Sequence, residues 1–183
     1  MRLSTLGLPG VLLIEHEVFE DARGLFFESW NERDFAAAGI QARFVQENVS
    51  ESQRWVLRGL HYQVSPHAQG KLLRVLGGEI FDVVVDLRRS SPSFGRSLSL
   101  TLDATRARSL WVPPGFAHGF LSLAPGTRVH YLVTDFWSRE DEVTLAWNDP
   151  SLSIEWPLPP GVSPRLSGKD AAAAPLAEVE TFP

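Results

Sequence analysis

The chain has 183 residues, of which 44% are hydrophobic and 21% charged, and these values are typical of one globular domain with a sizeable core. Acidic residues outnumber basic ones by 22 to 17, and the formal net charge of −5 disfavours general binding to nucleic acid, which needs a basic face. The absence of cysteine excludes disulfides, thiolate zinc sites and iron–sulfur clusters, and no apolar run approaches the length of a membrane span.

Short apolar runs, many of them β-branched or aromatic, alternate with Gly, Pro, Asn and Asp through most of the chain and predict strands. In chain order the predicted strands are 11–18, 25–30, 44–49, 55–63, 71–76, 79–87, 97–102, 109–112, 120–123, 128–136 and 143–147. Gly77 and Gly78 predict a tight turn between two of them. Even spacing without helical patterns between the strands predicts an all-β sandwich or barrel.

One helix is predicted between the second and third strands. Asn31 is a suitable N-cap, Glu32 and Asp34 lie in the first turn, where negative charge is favourable, and Gly39 can end the helix. A weaker helical pattern surrounds residues 171–174. The helices are therefore expected to be few and short.

The C-terminal part of the chain contains a Pro-rich segment, 157–164. Too few residues follow this segment to form a second domain, so it is interpreted as a tail packed on the barrel rather than a linker. We therefore expect residues 1–183 to form a single domain. The first residues do not have the pattern of a secretory signal, which is consistent with a cytoplasmic protein.

The five histidines differ in their sequence surroundings. His16 and His130 lie within strand patterns without a neighbouring partner, so both are interpreted as structural or surface residues. His67 lies in a loop beside a proline and is expected to be solvated. His61 and His118 have polar and glycine-rich neighbours and are the candidates for chemistry.

His61 lies close to a cation and an amide in the segment LRGLHYQ. Strand alternation places His61 and Gln63 on one face and Arg58 on the other. Gly59 could introduce a bulge that turns Arg58 and His61 to the same side. Lys71 begins the next predicted strand and adds a second cation.

His118 lies in the segment PPGFAHGF at residues 113–120, which has the Pro-x-Gly-x-x-His pattern of the second cupin motif. In metal-binding cupins this histidine pairs with a His-x-His and a Glu of the first motif. Here the corresponding segment is His61-x-Gln63, and an amide oxygen is a poor substitute for imidazole at a transition metal. The pattern therefore favours a metal-free jelly-roll barrel.

Eight stretches, in the right order over nearly the whole length, resemble the dTDP-4-dehydrorhamnose 3,5-epimerase family. They are DARGLFFE at 21–28, FVQENVS at 44–50, VLRGLHYQ at 56–63, QGKL at 69–72, FDVVVDLR at 81–88, VPPGFAHGF at 112–120, WNDP at 147–150 and SGKD at 167–170. The resemblance implies an all-β, cupin-like jelly-roll homodimer. The implied activity is cofactor-free epimerisation of dTDP-4-keto-6-deoxyglucose, which leads to dTDP-L-rhamnose for bacterial surface polysaccharides.

The same resemblance implies roles for individual residues. His61 would be the general base, Tyr131 the acid on the opposite face of the sugar, Asp170 the group that orients His61, and Lys71 the cation near the C4 oxygen. The implied substrate-binding residues are Arg23, Phe26, Glu28, Gln46, Asn48, Arg58, His118, Trp137, Glu142 and Lys169. Trp137 occupies the position of an aromatic residue, often Tyr, that stacks on thymine. By periodicity alone, Tyr131 would be a core aromatic and Asp170 a surface charge.

Other functions remain open from the sequence. An epimerase that inverts only C3 or only C5 of a related deoxysugar would keep His61. A metal-dependent cupin enzyme is a second alternative, although Gln63 in place of a histidine disfavours it. A barrel that binds a sugar or nucleotide without catalysis is a third, and the coexistence of His61, Tyr131, Lys71 and Asp170 disfavours it.

Overall fold

The computed structural model describes residues 1–183 as thirteen strands and two short α-helices. The strands are β1 (Arg2–Thr5), β2 (Leu12–Glu15), β3 (Phe19–Asp21), β4 (Gly24–Phe26), β5 (Gln46–Ser52), β6 (Leu57–Gln63), β7 (Lys71–Gly77), β8 (Glu79–Asp86), β9 (Ser97–Asp103), β10 (Arg108–Val112), β11 (Phe116–Ser122), β12 (Thr127–Val133) and β13 (Glu142–Thr144). The helices are α1 (Glu32–Ala37) and α2 (Gly168–Ala171). Neither is long and apolar enough to cross a membrane.

Two antiparallel sheets face each other and form the barrel. One sheet has six strands in the order β1-β2-β10-β7-β12-β5, and the other has five in the order β13-β6-β11-β8-β9. Strands that are adjacent in sequence, such as β7 and β8, lie in different sheets, as in a jelly roll. The predicted all-β barrel with a few short helices is therefore confirmed.

The main core lies between the two sheets. It combines inward-facing residues of the six-stranded sheet, such as Leu73, Leu110 and Val129, with residues of the five-stranded sheet, such as Ile80 and Phe116. Each of these side chains is at most 2% exposed, and full burial of such a side chain stabilises the fold by about 1.5–3 kcal/mol. This core closes most of the barrel interior and leaves one end to polar side chains.

The outer faces of both sheets are also covered. The C-terminal segment places Leu176, Val179 and Phe182 against a second core on the outer face of the five-stranded sheet. This core contains Tyr62 of β6 and Leu145, which follows β13. Short backbone bridges, including one between residues 145 and 174, attach this segment to the barrel. The tail thereby brings α2 next to β6, which positions Asp170 near His61.

Helix α1 covers the outer face of the six-stranded sheet through Phe35, which packs with Ile14, Leu72 and Trp111. The predicted N-cap is confirmed, because the Asn31 side chain accepts hydrogen bonds from the backbone N–H groups of residues 33 and 34. The second helix begins earlier than predicted, at Gly168, and residues 172–174 are not helical. The Ser167 hydroxyl caps it by accepting from the Asp170 N–H.

Several predicted strand boundaries are wrong, and two strands, β1 and β3, were not predicted. The predicted strand 120–123 is the end of β11, which already begins at Phe116. Its first half contains Gly and His, which are weak strand formers, but full burial on both faces compensates for this. The predicted strand 25–30 ends at Phe26, because Trp30 leaves the hairpin and packs on Phe35 and Phe44.

Strands β3 and β4 form a hairpin separate from both large sheets. Its apolar side chains are unusually exposed: Phe19 by 57%, Leu25 by 61% and Phe26 by 67%. Arg23 lies in the turn and pairs with Asp21. The single chain therefore leaves an apolar hairpin without a packing partner.

Candidate active site

A cavity of about 360 Å³ opens between the two sheets at the polar end of the barrel. This volume lies in the range of small-molecule sites. All the predicted site residues except Arg23, Phe26 and Glu28 line it, namely Gln46, Asn48, Arg58, His61, Lys71, His118, Tyr131, Trp137, Glu142, Lys169 and Asp170. The structure thus gathers residues from six strands, α2 and the segment after β12.

Arg58 and His61 line the same cavity although they are three residues apart on β6. The pairing with β11 shows why: His118 faces His61 and Phe120 faces Arg58, so two steps on β11 match three on β6. The extra residue is a bulge that restores both side chains to one face. Gly59 has φ 126°, a conformation that other residues rarely adopt, and the structure contains the bulge that this glycine allows.

His61 and Asp170 form a buried dyad. The Nε2 of His61 lies 2.5 Å from Oδ1 of Asp170, whose side chain is 3% exposed. The second carboxylate oxygen accepts a hydrogen bond from the Ser167 hydroxyl at 2.8 Å. With Nε2–H donating to Asp170, the other ring nitrogen, Nδ1, carries the lone pair that can accept a proton.

The environment of the dyad keeps the imidazole neutral and the carboxylate ionised. Burial lowers the pKa of His61 below its usual 6.5, and Asp170 partly opposes this shift. Burial by itself would raise the pKa of Asp170, but hydrogen bonds from His61 and Ser167 outweigh it and hold that pKa below its usual value. A neutral imidazole beside a carboxylate is suited to act as a general base.

Lys71 provides a positive charge in the cavity wall close to His61. Its Nζ donates a hydrogen bond to the backbone carbonyl of His61 at 3.1 Å. Burial lowers the pKa of Lys71 to about 8, Lys169 adds to this shift, and Glu142 opposes it. Lys169 itself pairs with Glu142 at 2.8 Å on the cavity rim. Lys71 is therefore a cation held near its titration point.

Tyr131 lies on β12, in the sheet opposite His61, and its side chain lines the cavity from that wall. Burial raises its pKa above the usual 10, and Arg58 only partly opposes the shift. The phenol is therefore protonated at neutral pH and can donate a proton. Periodicity alone favoured a core aromatic, and Tyr131 does pack, partly buried, against the main core, but its side chain also lines the cavity.

A second histidine–carboxylate pair was not expected from the sequence. Nε2 of His118 lies 2.9 Å from Oδ2 of Asp82, which is fully buried. The other carboxylate oxygen of Asp82 has no hydrogen-bond partner. Burial raises the pKa of Asp82, and His118 opposes this shift. The sequence did contain a signal for this pair: Asp82 lies within the apolar run of β8, and a buried carboxylate needs a partner.

The cavity has further lining residues that sequence reasoning missed: Ser50, Gln69, Leu73, Phe120 and Val129. Most follow the two-residue alternation of predicted wall residues, for example 46, 48 and 50 on β5, so alternation could have identified them. Trp137 is 51% exposed at the rim, and the Arg139 guanidinium lies 5.7 Å from the centre of its ring.

Arg23, Phe26 and Glu28 are not brought to this cavity by the single chain. Arg23 lies in the exposed turn of the β3–β4 hairpin, paired with Asp21. Phe26 and Glu28 line a smaller cavity of about 320 Å³ beside α1 and His16. Their assignment to the substrate site stays a prediction.

The remaining histidines have structural partners. His16 bonds Ser109 at 2.8 Å, and His130 bonds Glu47 at 2.8 Å, as expected for structural or surface histidines. His67 is not simply solvated, because its Nδ1 lies 2.8 Å from Asp141. No group of three His, Cys, Asp or Glu side chains is close enough together to hold a metal ion.

Comparison with known proteins finds relatives over the whole chain. The family model described as dTDP-4-dehydrorhamnose 3,5-epimerase matches residues 5–178. The dTDP-4-dehydrorhamnose 3,5-epimerase of Pseudomonas aeruginosa is 50% identical over 184 residues, which cover 100% of both chains. The compared region therefore spans all positions that line the cavity.

Two of the solved structures that are similar to this one have a dTDP sugar bound. The dTDP-6-deoxy-D-glucose-3,5-epimerase of Legionella pneumophila in complex with dTDP-4-keto-L-rhamnose has a TM-score of 0.93 at 42% identity, covering 98% of this chain and 94% of that one. The 3′-monoepimerase of Streptomyces bikiniensis in complex with dTDP-quinovose has a TM-score of 0.87 at 33% identity, covering 94% and 86%. These similarities confirm the cupin-like jelly-roll fold.

The dyad geometry predicts the effect of Asp170→Asn on His61. Loss of the carboxylate charge removes a contribution that raises the pKa of His61, so burial dominates and the pKa falls further below 6.5. We expect NMR titration of the labelled imidazoles to show this decrease. Asp141→Asn, which removes the charged partner of His67, is the matched control and should leave the pKa of His61 unchanged. An unchanged or higher His61 pKa in Asp170→Asn would contradict the geometry.

Proposed function

The chain belongs to the dTDP-4-dehydrorhamnose 3,5-epimerase family, and we propose that it inverts C3 and C5 of dTDP-4-keto-6-deoxyglucose without a cofactor, giving dTDP-4-keto-L-rhamnose. One observation carries the catalytic part of this proposal. His61 and Tyr131 line one cavity from opposite sheets, and Lys71, on the strand β7 beside β12, lines the same cavity. Inversion needs proton removal on one face of a carbon and delivery on the other, which two opposed groups can perform.

The C4 ketone makes the hydrogens on C3 and C5 acidic. Removal of either proton gives an enolate whose charge rests largely on the C4 oxygen, and a nearby cation stabilises that charge as it develops. Lys71 fills this role in the proposal, since its ammonium is held in the cavity wall beside His61. No electron is transferred, so the reaction requires no redox cofactor.

His61 removes the proton in this mechanism. Its lowered pKa leaves the imidazole neutral at pH 7, and Nδ1 takes the proton from C3 or C5. The imidazolium that forms is stabilised by Asp170 at 2.5 Å. Asp170 also fixes the ring orientation, because its own position is held by Ser167. After each turnover His61 returns the proton to solvent.

Tyr131 delivers the proton to the opposite face of the same carbon. Its raised pKa keeps the phenol protonated until the enolate carbon takes the proton. Arg58, whose charge lowers the pKa of Tyr131, stabilises the phenolate that remains. Solvent reprotonates Tyr131, and the sequence repeats at the second carbon.

The other cavity residues are proposed to bind the nucleotide and sugar. The diphosphate carries negative charge, and Arg58 and Lys169 provide cations at the cavity wall. Polar side chains of Gln46, Asn48, His118 and Glu142 can hydrogen-bond sugar and base groups. Trp137 offers a flat, half-exposed face on which a thymine can stack.

We propose a homodimer in which the β3–β4 hairpin reaches the cavity of the partner. In the single chain, Leu25 and Phe26 are largely exposed, and the edge strand β5 carries Val49, which is 60% exposed. Dimerisation would bury these apolar groups and could bring Arg23 and Glu28 to the substrate. Each protomer of this dimer is proposed to be a single domain, residues 1–183, that acts in the cytoplasm.

The test of the reaction is proton NMR of dTDP-4-keto-6-deoxyglucose incubated with chelator-treated protein in deuterated water. We expect deuterium at C3 and C5 with inversion at both carbons. His61→Ala should lose both exchange and inversion by about 10²–10⁴-fold, the usual contribution of a general base, while dTDP binding is retained. Tyr131→Phe should slow inversion more than exchange, because His61 can still remove a proton and return a deuteron to the same face.

Other results of this experiment would select the alternatives. Exchange at one carbon only would indicate a single-centre epimerase, like the 3′-monoepimerase among the similar structures. Activity that is lost to the chelator and restored by a metal would support the metal-dependent alternative. Tight dTDP binding with no exchange at either carbon would support a binding-only barrel. Near-normal turnover in His61→Ala would refute the base assignment.

The role of Lys71 predicts the alkaline limb of the pH–rate profile. Since burial lowers the pKa of Lys71 to about 8, the ammonium is charged below that pH and loses its proton above it, so kcat should fall as pH rises past about 8. Lys169→Met should move this limb to higher pH, because Lys169 lowers the pKa of Lys71. Lys71→Met should reduce kcat by about 10²–10³-fold. A kcat that is constant from pH 7 to 10 would exclude the charged form as the stabilising group.

Hairpin exchange is tested by mixing two impaired chains. If the partner supplies Arg23, co-expressed His61→Ala and Arg23→Ala chains form heterodimers with one complete site, and random pairing restores activity in about a quarter of the sites. Each variant alone should remain impaired. If Arg23 acts within its own chain, or contributes nothing to the site, mixing restores no activity above the sum of the two variants.

A further inference from the structure

The segment after β12, residues 135–138, has no strand partner but is held by side chains. Three glutamines, Gln46, Gln63 and Gln69, bind the backbone of four consecutive residues, and we call them the glutamine clamp. Gln69 Nε2 donates to the Asp135 carbonyl at 2.8 Å, Gln63 Nε2 to the Phe136 carbonyl at 3.1 Å, Gln46 Oε1 accepts from the Trp137 N–H at 3.1 Å, and Gln63 Oε1 accepts from the Ser138 N–H at 2.9 Å.

Gln63 is the centre of the clamp. It is 3% exposed, and its Nε2 also donates to the His67 carbonyl at 2.7 Å, so one side chain makes three hydrogen bonds to backbone. Only an amide offers two donors and an acceptor in so small a planar group. An imidazole, as metal-binding cupins have here, could not bind two carbonyls and an N–H together. The amide of Gln63 therefore makes contacts at this position that an imidazole could not make.

A second set of contacts, made by Asp141, holds the C-terminal end of the segment. The Asp141 carboxylate accepts hydrogen bonds from the Ser138 hydroxyl at 2.5 Å and from His67 Nδ1 at 2.8 Å. The Asp141 carbonyl accepts from the Val64 N–H at 3.0 Å. Both ends of the segment are thus fixed to β6 and the loop that follows it.

The segment carries two aromatic side chains, Phe136 and Trp137, that are not buried in a hydrophobic core. Trp137 is 51% exposed and Phe136 is 62% exposed, so neither ring is anchored in a core. The position of Trp137 at the cavity rim depends on its backbone, which the clamp binds directly. Such a ring can present a flat face only if its backbone is ordered before the ligand arrives.

We propose that Gln63 and Gln69 are positioning residues that act through Trp137: the glutamine clamp preorganises Trp137 for stacking on the base of the nucleotide. This rests on the proposed function for the identity of the ligand, a nucleotide with a planar base. The clamp binds the backbone of the rim segment, and none of its three glutamines hydrogen-bonds the side chain of His61 or Tyr131. Its loss therefore weakens binding and leaves the proton-transfer steps unchanged.

The test is a double-mutant cycle that uses dTDP as the probe in calorimetry and the keto sugar in steady-state kinetics. Gln63→Met keeps the side-chain size and removes three hydrogen bonds. We expect it to weaken dTDP binding and raise KM about five- to twentyfold, with kcat within about twofold, on the scale of one or two hydrogen bonds lost. In a Trp137→Ala background the same substitution should change the dTDP Kd by less than about twofold. Gln53→Met, at an exposed glutamine outside the clamp, should change neither constant.

Each other outcome has a defined meaning. An unchanged dTDP Kd in folded Gln63→Met, or an equal loss of affinity with and without Trp137, overturns the proposal and leaves Gln63 a structural residue. If Gln63→Met does not fold, Gln69→Met, which removes one hydrogen bond, carries the test with an expected loss of about threefold. If the wild-type protein binds dTDP without epimerising the sugar, the proposed function fails while the dTDP cycle still decides the clamp. Wild-type protein that does not bind dTDP overturns both.

Discussion

The close approach of β6 and β11 at Gly59 and Gly119 is the constraint on which the site depends. A Cβ added to Gly119 would lie 2.6 Å from the Arg58 carbonyl oxygen, and one added to Gly59 would lie 2.6 Å from the Gly119 Cα. Only two glycines permit this contact, and the bulge it contains brings Arg58 and His61 to one face. Without the bulge, a regular strand would turn Arg58 away from the cavity that His61 lines.

The second condition is the burial of charge at one end of a barrel that is otherwise apolar. The protein is acidic as a whole, but Arg58, Lys71 and Lys169 are concentrated around the cavity. Burial moves the pKa of His61 and of Lys71 downward and that of Tyr131 upward, which leaves a neutral base, a titratable cation and a protonated acid. Desolvation is the largest cause in all three cases, and it favours the neutral form of each group: it acts against the cationic forms of His61 and Lys71 and against the anionic form of Tyr131.

The positions that bind a metal in metal-binding cupins make other contacts in this jelly roll. His61 and His118 face each other across adjacent strands, yet each is bound to its own carboxylate, Asp170 and Asp82. The third position, Gln63, binds backbone instead and orders the rim of the cavity. The strands hold the residues proposed for proton transfer, and the hydrogen-bonded segment 135–138 holds the rim of the cavity.

Alternation, turn residues and the Asn31 cap were enough to predict the all-β barrel and the first helix, because these depend on local spacing. The predicted residues of the cavity wall came from the motif resemblance. The motif resemblance assigned His61, Tyr131, Lys71 and Asp170. The exact strand ends, the hairpin at β3–β4 and the partner of His67 were not predictable, since each depends on contacts between residues far apart in sequence. Asp170 illustrates the difference: the sequence by itself determined that a carboxylate follows Lys169, but only the tertiary structure placed it against His61, because packing of the C-terminal tail on the barrel brings together groups that are 109 residues apart.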